Sequence, residues 1–291
     1  MTEEGPLEAN SSIQQSQADS ATAAPQISID RYLDRIGIAP SSVTEADKNT
    51  LTRLQQAHVT TVPFENLSIV GDPFDDEPGE GVVLSIPQLF EKVVIRERGG
   101  YCFELNGLFH SLLRGLDYDI DRVPARILSD DGAGPPANHH TNIVTADREY
   151  VVDVGMGTPP MRHPTPLNGS VVTDEVGVQW RVVASDRPDE TLQTEYREPP
   201  ASEWSSRYVF SKQPCDIEYF RATNDHLQTA PESAFTGDPI VTIATESGYR
   251  RLSRESLSES DHVDNGIQER RRAVAPEQWH ETLNRMFGIS L

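Results

Sequence analysis

Lysine is almost missing from this 291-residue chain: Lys48, Lys92 and Lys212 are the only three, and the remaining basic residues are arginine and a few histidines. Lysine and arginine together number 25 against 46 aspartates and glutamates, a formal net charge of -21. A phosphate-backbone partner needs a basic footprint, and an anionic lipid surface repels a chain of this sign, so nucleic acid and membranes are excluded as partners. Cysteine is scarcer still. Cys102 and Cys215 are too few for a disulfide framework or a cysteine-rich metal site, so any cysteine function rests on a free thiol and no metal is expected. No segment approaches the ~20 apolar residues that span a bilayer, and no basic-then-apolar leader opens the chain, which predicts a soluble, cytoplasmic protein.

What is present is a folded core under a polar surface. Apolar residues make up 36% of the chain and are gathered in runs, and a length above ~100–200 residues predicts two or three domains. The acidity has a plain reading, solubility through self-repulsion, and a sharper one that we favour: a surface adapted to molar salt, where hydrated carboxylates replace lysine and screening suppresses their repulsion.

Residues 1–26, rich in Ser, Gln, Ala and Thr without an apolar period, predict a disordered tail. Helical patterns follow at 30–36 and from Thr44, where Thr44 and Asp47 resemble a capping pair, with Leu51, Leu54 and His58 on one face. The acidic, proline-rich stretch 72–80 predicts a surface loop, and Ser85, Pro87 and Gln88 open another helix that Gly99-Gly100 ends. Phe103, Leu105, Leu108, Phe109 and Leu112 then recur at three and four, giving a helix that Gly115 terminates and whose first turn contains Cys102. After Leu116 the period changes to that of strands, at 118–128, 142–145, 149–154, 178–183 and 192–197, a mostly antiparallel barrel or sandwich. The last stretch mixes strands at 240–244 and 249–252 with a helix at 276–287.

Cys102 stands where free backbone N–H groups and the helix dipole favour a thiolate. On its own such a cysteine is more often a buried, inert residue. Two further segments change that balance: Asn138-His139-His140-Thr141-Asn142 and, one hairpin later, Val152-Asp153-Val154. An imidazole removes the thiol proton while a buried carboxylate fixes the ring's tautomer, and a carboxylate flanked by valines needs a partner. Hairpin register decides which histidine acts. A two-residue loop at Asp147-Arg148 places His140 on the face of Asp153, and a three-residue loop at Ala146-Asp147-Arg148 selects His139; neither contains the glycine that would decide between them.

With these residues in hand, the chain resembles the arylamine N-acetyltransferase family over nearly all of its length beyond the tail. The resemblance is carried by Asp30-Arg31-Tyr32-Leu33-Asp34-Arg35-Ile36-Gly37, by His58 with Val62-Pro63-Phe64-Glu65-Asn66-Leu67, and by Arg98-Gly99-Gly100-Tyr101-Cys102-Phe103-Glu104-Leu105-Asn106, the nucleophile signature. His139 with Asn142 and Val144 resembles the family's His strand, Asp153-Val154-Gly155-Met156-Gly157 its Asp turn, and the stretch 227–235 a segment near the acetyl-CoA cleft. The His-to-Asp spacing is one residue shorter than usual, which the three-residue loop accommodates. Met156 stands where an aromatic is common, and Glu232 falls near the cofactor phosphates.

The resemblance implies an α+β multidomain fold: a helical domain at 27–117 carrying the nucleophile, an antiparallel β-barrel at 118–205 carrying His and Asp, and an α/β lid at 206–291, around a cysteine-protease-like Cys-His-Asp core. It implies an acyltransferase that moves acetyl from acetyl-CoA through Cys102 to an arylamine, arylhydrazine or related small amine, with Cys102, His139 and Asp153 as the triad. His226 is expected at the cofactor, Met156 at the substrate, and Glu65 with Arg98 as structural support for the nucleophile loop. A Cys-His-Asp hydrolase (thioesterase or amidase) and a catalytically silent CoA-binding protein are the rival readings. The salt reading predicts that the thermal unfolding midpoint, followed by circular dichroism, falls as KCl is withdrawn from molar to dilute; equal midpoints contradict it.

Overall fold

The structure of the protein, a computed structural model, describes residues 27–76, 78–130, 132–263 and 266–291. The tail expected at 1–26 lies outside these residues. Helices come first: α1 (Ile29–Arg35), α2 (Lys48–Thr61), α3 (Leu67–Val70), α4 (Ile86–Phe90) and α5 (Cys102–Gly115), with the short strand β1 (Phe64–Glu65) between α2 and α3. Helix α2 begins one turn later than Thr44 predicts, because Asp47 is its N-cap: its Oδ1 accepts from the Thr50 N–H at 2.8 Å. The expected apolar face of Leu51, Leu54 and His58 is buried as read.

Helix α5 is the axis of this part of the molecule. Its apolar residues recur at helical spacing, yet every residue from Cys102 to His110 is buried, so the helix is enclosed rather than amphipathic. Helices α1 and α4 cover one side, and strands β2 (Asp119–Ser129) and β4 (His139–Thr145) cover the other. A Cβ on Gly115 would run into Ile29, which fixes where α1 crosses the end of α5.

Strands β2, β3 (Gly132–Ala133), β4, β5 (Glu149–Val152), β6 (Thr165–Pro166), β7 (Val172–Thr173), β8 (Gln179–Ala184), β9 (Leu192–Arg197) and β10 (Ser205–Phe210) form one antiparallel sheet of nine strands. Its order is β6-β5-β4-β2-β10-β9-β8-β7 with β3 on β2, and β6 lies against β8, so the sheet nearly closes into a barrel. Barrel rather than sandwich resolves what periodicity left open. Strand β10 starts at the boundary expected at 205 and runs on to Phe210, pairing with β2 and β9 of the barrel. Its interior is filled by Val123, Val151, Met161, Trp180, Val182 and Tyr208 among others.

Beyond the barrel, α6 (Arg221–Thr229) leads to β11 (Val241–Ala244), β12 (Gly248–Leu252), β13 (Ser256–Val263), β14 (Gly266–Ala273) and α7 (Pro276–Phe287). These strands form a five-stranded sheet with β1 at one edge, so the segment Phe64–Glu65 stitches the helical part to this sheet. Trp279, Leu283 and Phe287 of α7 pack on it as the spacing predicts. No helix among the described residues is long and apolar enough to cross a membrane.

His58 is a buried polar side chain inside this helical core. It is fully enclosed between the rings of Tyr32 and Phe109, with centroids at 5.9 and 5.1 Å, and neither ring nitrogen has a partner among the described residues. Burial, with a smaller contribution from Arg35, pushes its pKa down to about 3. A base depressed on folding stabilises the fold above its unfolded pKa of about 6.5 and loses that contribution as pH falls toward about 3. Urea unfolding of wild type and His58→Phe at a series of pH values should therefore show a shallower fall of stability with acid in the variant across that window; parallel curves would remove His58 from the acid response.

Candidate active site

Cys102 is the first residue of α5, and two glycines explain why the chain can place it there. Strand β1 runs beside the Gly99-Gly100 backbone: Glu65 N–H donates to Gly100 O at 2.9 Å and Gly100 N–H to Pro63 O at 3.3 Å. A Cβ on Gly99 would strike the Pro63 carbonyl, and one on Gly100 would meet the Glu104 carboxyl at 2.8 Å. The motif around Phe64 and the nucleophile signature are thus two sides of one backbone contact.

A buried ionic cluster locks this contact. Glu65 Oε1 accepts from Arg98 Nη2 at 3.2 Å and lies 3.6 Å from Lys92 Nζ, while Lys92 Nζ donates to Glu104 Oε1 at 2.7 Å. Glu104 Oε2 reaches back to accept from the Tyr101 N–H at 3.0 Å, and Glu65 Oε2 accepts from the Leu67 N–H at 2.5 Å. The expected Glu65–Arg98 pair is present, but it is half of a four-charge group whose other members, Lys92 and Glu104, the sequence reading left unassigned. Burial pushes Glu65 upward, yet Lys92, Arg98 and their hydrogen bonds outweigh it and hold the carboxyl below its ordinary range. Glu104 ends above the ordinary range, because burial and the neighbouring Glu65 exceed the pull of Lys92.

Asp153 follows β5 and is fully buried. Its Oδ2 accepts from His139 Nε2 at 2.7 Å, and its Oδ1 accepts from Asn106 Nδ2 at 2.8 Å and the Gly155 N–H at 2.9 Å. Burial raises its pKa, but His139, Asn106 and the Gly155 N–H together bring it below the usual carboxylate value. The ionised carboxylate accepts from Nε2–H, which leaves Nδ1 of His139 as the basic nitrogen.

The β4–β5 hairpin settles which histidine this is. Thr145 pairs with Glu149 and Asn142 with Val152, so the loop is the three-residue Ala146-Asp147-Arg148 and His139 falls on the face of Asp153. His140 points the other way, buried with its ring stacked on Phe220 at 4.9 Å.

Asn106 is the residue that sequence reasoning missed. Besides bonding Asp153 it donates to the His140 carbonyl at 2.5 Å and accepts from the Val154 N–H at 2.8 Å through Oδ1. It lies one helical turn after Cys102, a spacing of four that places both on one face of α5, and that spacing was available in the sequence. Tyr208 of β10 was missed too; its ring packs on that of His139 at 5.0 Å and its hydroxyl bonds Thr141 at 3.2 Å.

A cleft of about 600 Å³ is walled by Cys102 at the start of α5, by His139, Gly155 and Met156, and by His226, Glu232, Phe235 and Arg251 from the segments that follow the barrel. A larger hollow of about 970 Å³ lies elsewhere, between α2 and β11–β12, and includes none of the candidate residues. Gly155 faces Cys102 so closely that a Cβ there would lie 2.7 Å from its Cα. The expected low pKa of the thiol is not what its surroundings produce. Burial and the Asp153 carboxylate push Cys102 up, and the N–H groups of Phe103 and Cys102 itself recover only part. The helix start alone therefore does not yield a resting thiolate.

The N-acetyltransferase family model matches residues 47–291 of this chain. The pineal gland arylamine N-acetyltransferase isozyme of Gallus gallus is 31% identical over 288 residues, 90% of this chain and 94% of that protein. The chain belongs to the arylamine N-acetyltransferase family. It is an acyltransferase by that membership, and the relatives lend nothing to the hydrolase or silent-binding readings. The Mycolicibacterium smegmatis arylamine N-acetyltransferase is 30% identical over 267 residues, 89% of this chain and 91% of that one. Among solved structures, the Mycobacterium marinum arylamine N-acetyltransferase in complex with CoA superposes with a TM-score of 0.75 at 27% identity, covering 90% of this chain and 93% of that one. A Bacillus cereus arylamine N-acetyltransferase with a unique Cys-His-Glu catalytic triad has a TM-score of 0.78 at 23% identity, covering 90% and 98%, and that likeness concerns the fold. The carboxylate on histidine in the present arylamine N-acetyltransferase is Asp153.

Lys92→Met would leave Glu104 buried without its cation, a change of about 3–5 kcal/mol for an orphaned buried charge. Urea unfolding should register that loss, and adding Glu104→Gln should recover part of it. No recovery in the double variant would mean that the two side chains do not depend on each other.

Proposed function

We propose that this arylamine N-acetyltransferase, in the cytoplasm and adapted to high salt, carries acetyl from acetyl-CoA to a small arylamine or arylhydrazine through a thioester on Cys102. The observation that carries the reading is the 2.7 Å bond from His139 Nε2 to the buried Asp153 carboxylate behind a cleft onto which Cys102 opens. With Nε2 held as donor, His139 Nδ1 takes the proton from Cys102 Sγ as the sulfur attacks the acetyl carbonyl. Burial and the Asp153 carboxylate push the thiol up, so transfer of its proton to His139 makes the nucleophile, and Asp153 stabilises the imidazolium that this creates. The N–H groups of Cys102 and Phe103, in the first turn of α5, serve as donors to the oxyanion. The tetrahedral intermediate then collapses, the C–S bond to CoA breaks, and the imidazolium returns its proton to the leaving CoA sulfur.

In the second half the amine nitrogen attacks the thioester, His139 takes its proton, and Cys102 leaves as the thiol. For the co-substrate, the cleft continues past Thr158 and Arg251 into a hollow of about 380 Å³ lined by a row of serines with Arg271 and Glu269, a polar path whose serines and two arginines suit its phosphates, with His226 and Met156 on the wall of the cleft itself.

Mass spectrometry after incubation with acetyl-CoA should find one acetyl group on the peptide that contains Cys102, and an arylamine should discharge it faster than water does. Cys102→Ala should lose transfer altogether, and Asp153→Asn should lower kcat by about 10³–10⁴-fold through the wrong histidine tautomer. Turnover retained by a folded Cys102→Ala protein would sink the proposal.

A further inference from the structure

One cation on the cleft wall has no part in this scheme. Strand β10 pairs regularly with β2 through Tyr208, Val209 and Phe210, but its register against β9 shifts between Ser206 and Tyr208, so Arg207 is the extra residue of a β-bulge. A bulge breaks the strict alternation of a strand and re-aims a side chain, and bulges concentrate beside active sites. Arg207 accordingly lines the same cavity as Cys102 and His139, next to Tyr208, whose ring rests on His139.

The guanidinium is poorly satisfied there. Its one side-chain hydrogen bond among the described residues runs from Nε to Met156 Sδ at 3.2 Å, and a thioether is a weak acceptor. Arg98, Arg162 and Arg181 are matched to carboxylates, Glu65, Asp174 and Glu195, whereas Arg122 is buried without one but lies away from the cleft, so Arg207 is the half-buried unmatched guanidinium on the cavity wall. Asp153, the nearest carboxylate to influence Arg207, has its oxygens occupied by His139, Asn106 and Gly155. Glu232 and Arg251, the other formally charged side chains on the cavity wall, are exposed, where solvent screens them. A chain with a formal net charge of -21 thus keeps a half-buried guanidinium without a carboxylate beside its candidate nucleophile. Its planar fork of N–H donors matches a carboxylate.

We propose that Arg207 is a specificity determinant of the acceptor subsite, holding the carboxylate of an anionic aromatic amine while the amino group reaches the acetyl on Cys102. This rests on acetyl transfer through Cys102. The phosphates of acetyl-CoA are a poorer match, because the long uncharged pantetheine arm keeps them away from the reacting sulfur. Met156 beside the guanidinium offers a polarizable contact to the aromatic ring.

Steady-state transfer to 4-aminobenzoate and to its neutral ethyl ester tests the assignment in wild type, Arg207→Gln and Arg207→Lys. The ratio of kcat/KM for acid over ester should fall about tenfold or more in Arg207→Gln, mainly through KM, and recover in part in Arg207→Lys. A merely structural role would depress both acceptors alike, and an unchanged ratio overturns the proposal. Calorimetric titration of 4-aminobenzoate into unacetylated wild type and Arg207→Gln reads the same subsite without turnover, and equal affinities overturn it as well. Failure of acetyl-CoA to modify Cys102 would remove the transfer reading, while the titration would still decide whether Arg207 holds the carboxylate.

Discussion

A fully buried carboxylate governs this structure. Asp153 is tolerable only because three donors reach it, and they come from three stretches of chain: Asn106 on α5, His139 on β4 and the Gly155 N–H in the turn after β5. The helix that carries Cys102, the strand that carries the histidine and the turn that carries the aspartate are therefore fixed relative to one another by one charge. Asn106 extends the lock by binding backbone on both partners, the His140 carbonyl and the Val154 N–H. Gly155 completes it, since a side chain there would push the turn off Cys102.

A second charged group, Glu65, Arg98, Lys92 and Glu104, anchors the approach to the same helix from outside the barrel. Its two carboxylates are not equivalent. Glu65 has two cations and a backbone donor and stays ionised to lower pH, whereas Glu104 has one cation, Lys92, beside the Tyr101 N–H and protonates earlier. The backbone pairing of β1 with Gly100 and with β11 passes through this cluster, so the nucleophile loop and the five-stranded sheet share one support. Sequence motifs far apart in the chain meet here for a local reason: they bury each other's charges.

Much of this was legible in the sequence where periodicity is strong. Helix α7 falls on the expected residues, the apolar spacing of α5 located Cys102 at a helix start, and the valines around Asp153 betrayed a buried carboxylate. Hairpin register was not legible, because the Ala146-Asp147-Arg148 loop lacks the turn residues that announce its length, and only the ladder itself fixes it. Strands β13 and β14 were overlooked since Ser258, Glu259, Ser260 and Asp261, opposite Arg271, Arg270, Glu269 and Gln268, pair through backbone and charge without an apolar alternation. Strand β10 escaped for a related reason, as its bulge at Arg207 breaks the period of two. The helix start at Cys102 is visible in the sequence, whereas the burial and the nearby Asp153 carboxylate that push its thiol up are properties of the assembled core.

The scarcity of lysine has a chemical corollary. A protein that holds an activated acetyl group beside a site built to receive amines exposes its own primary amines to the same electrophile. Of the three lysine side chains here, Lys92 is sealed in the core between Glu65 and Glu104, and Lys212 is engaged at the surface by Glu149. Arginine, which carries almost all the remaining side-chain positive charge, is too weak a nucleophile at neutral pH to compete. The same composition leaves the amine that enters the cleft with few rivals on the enzyme itself.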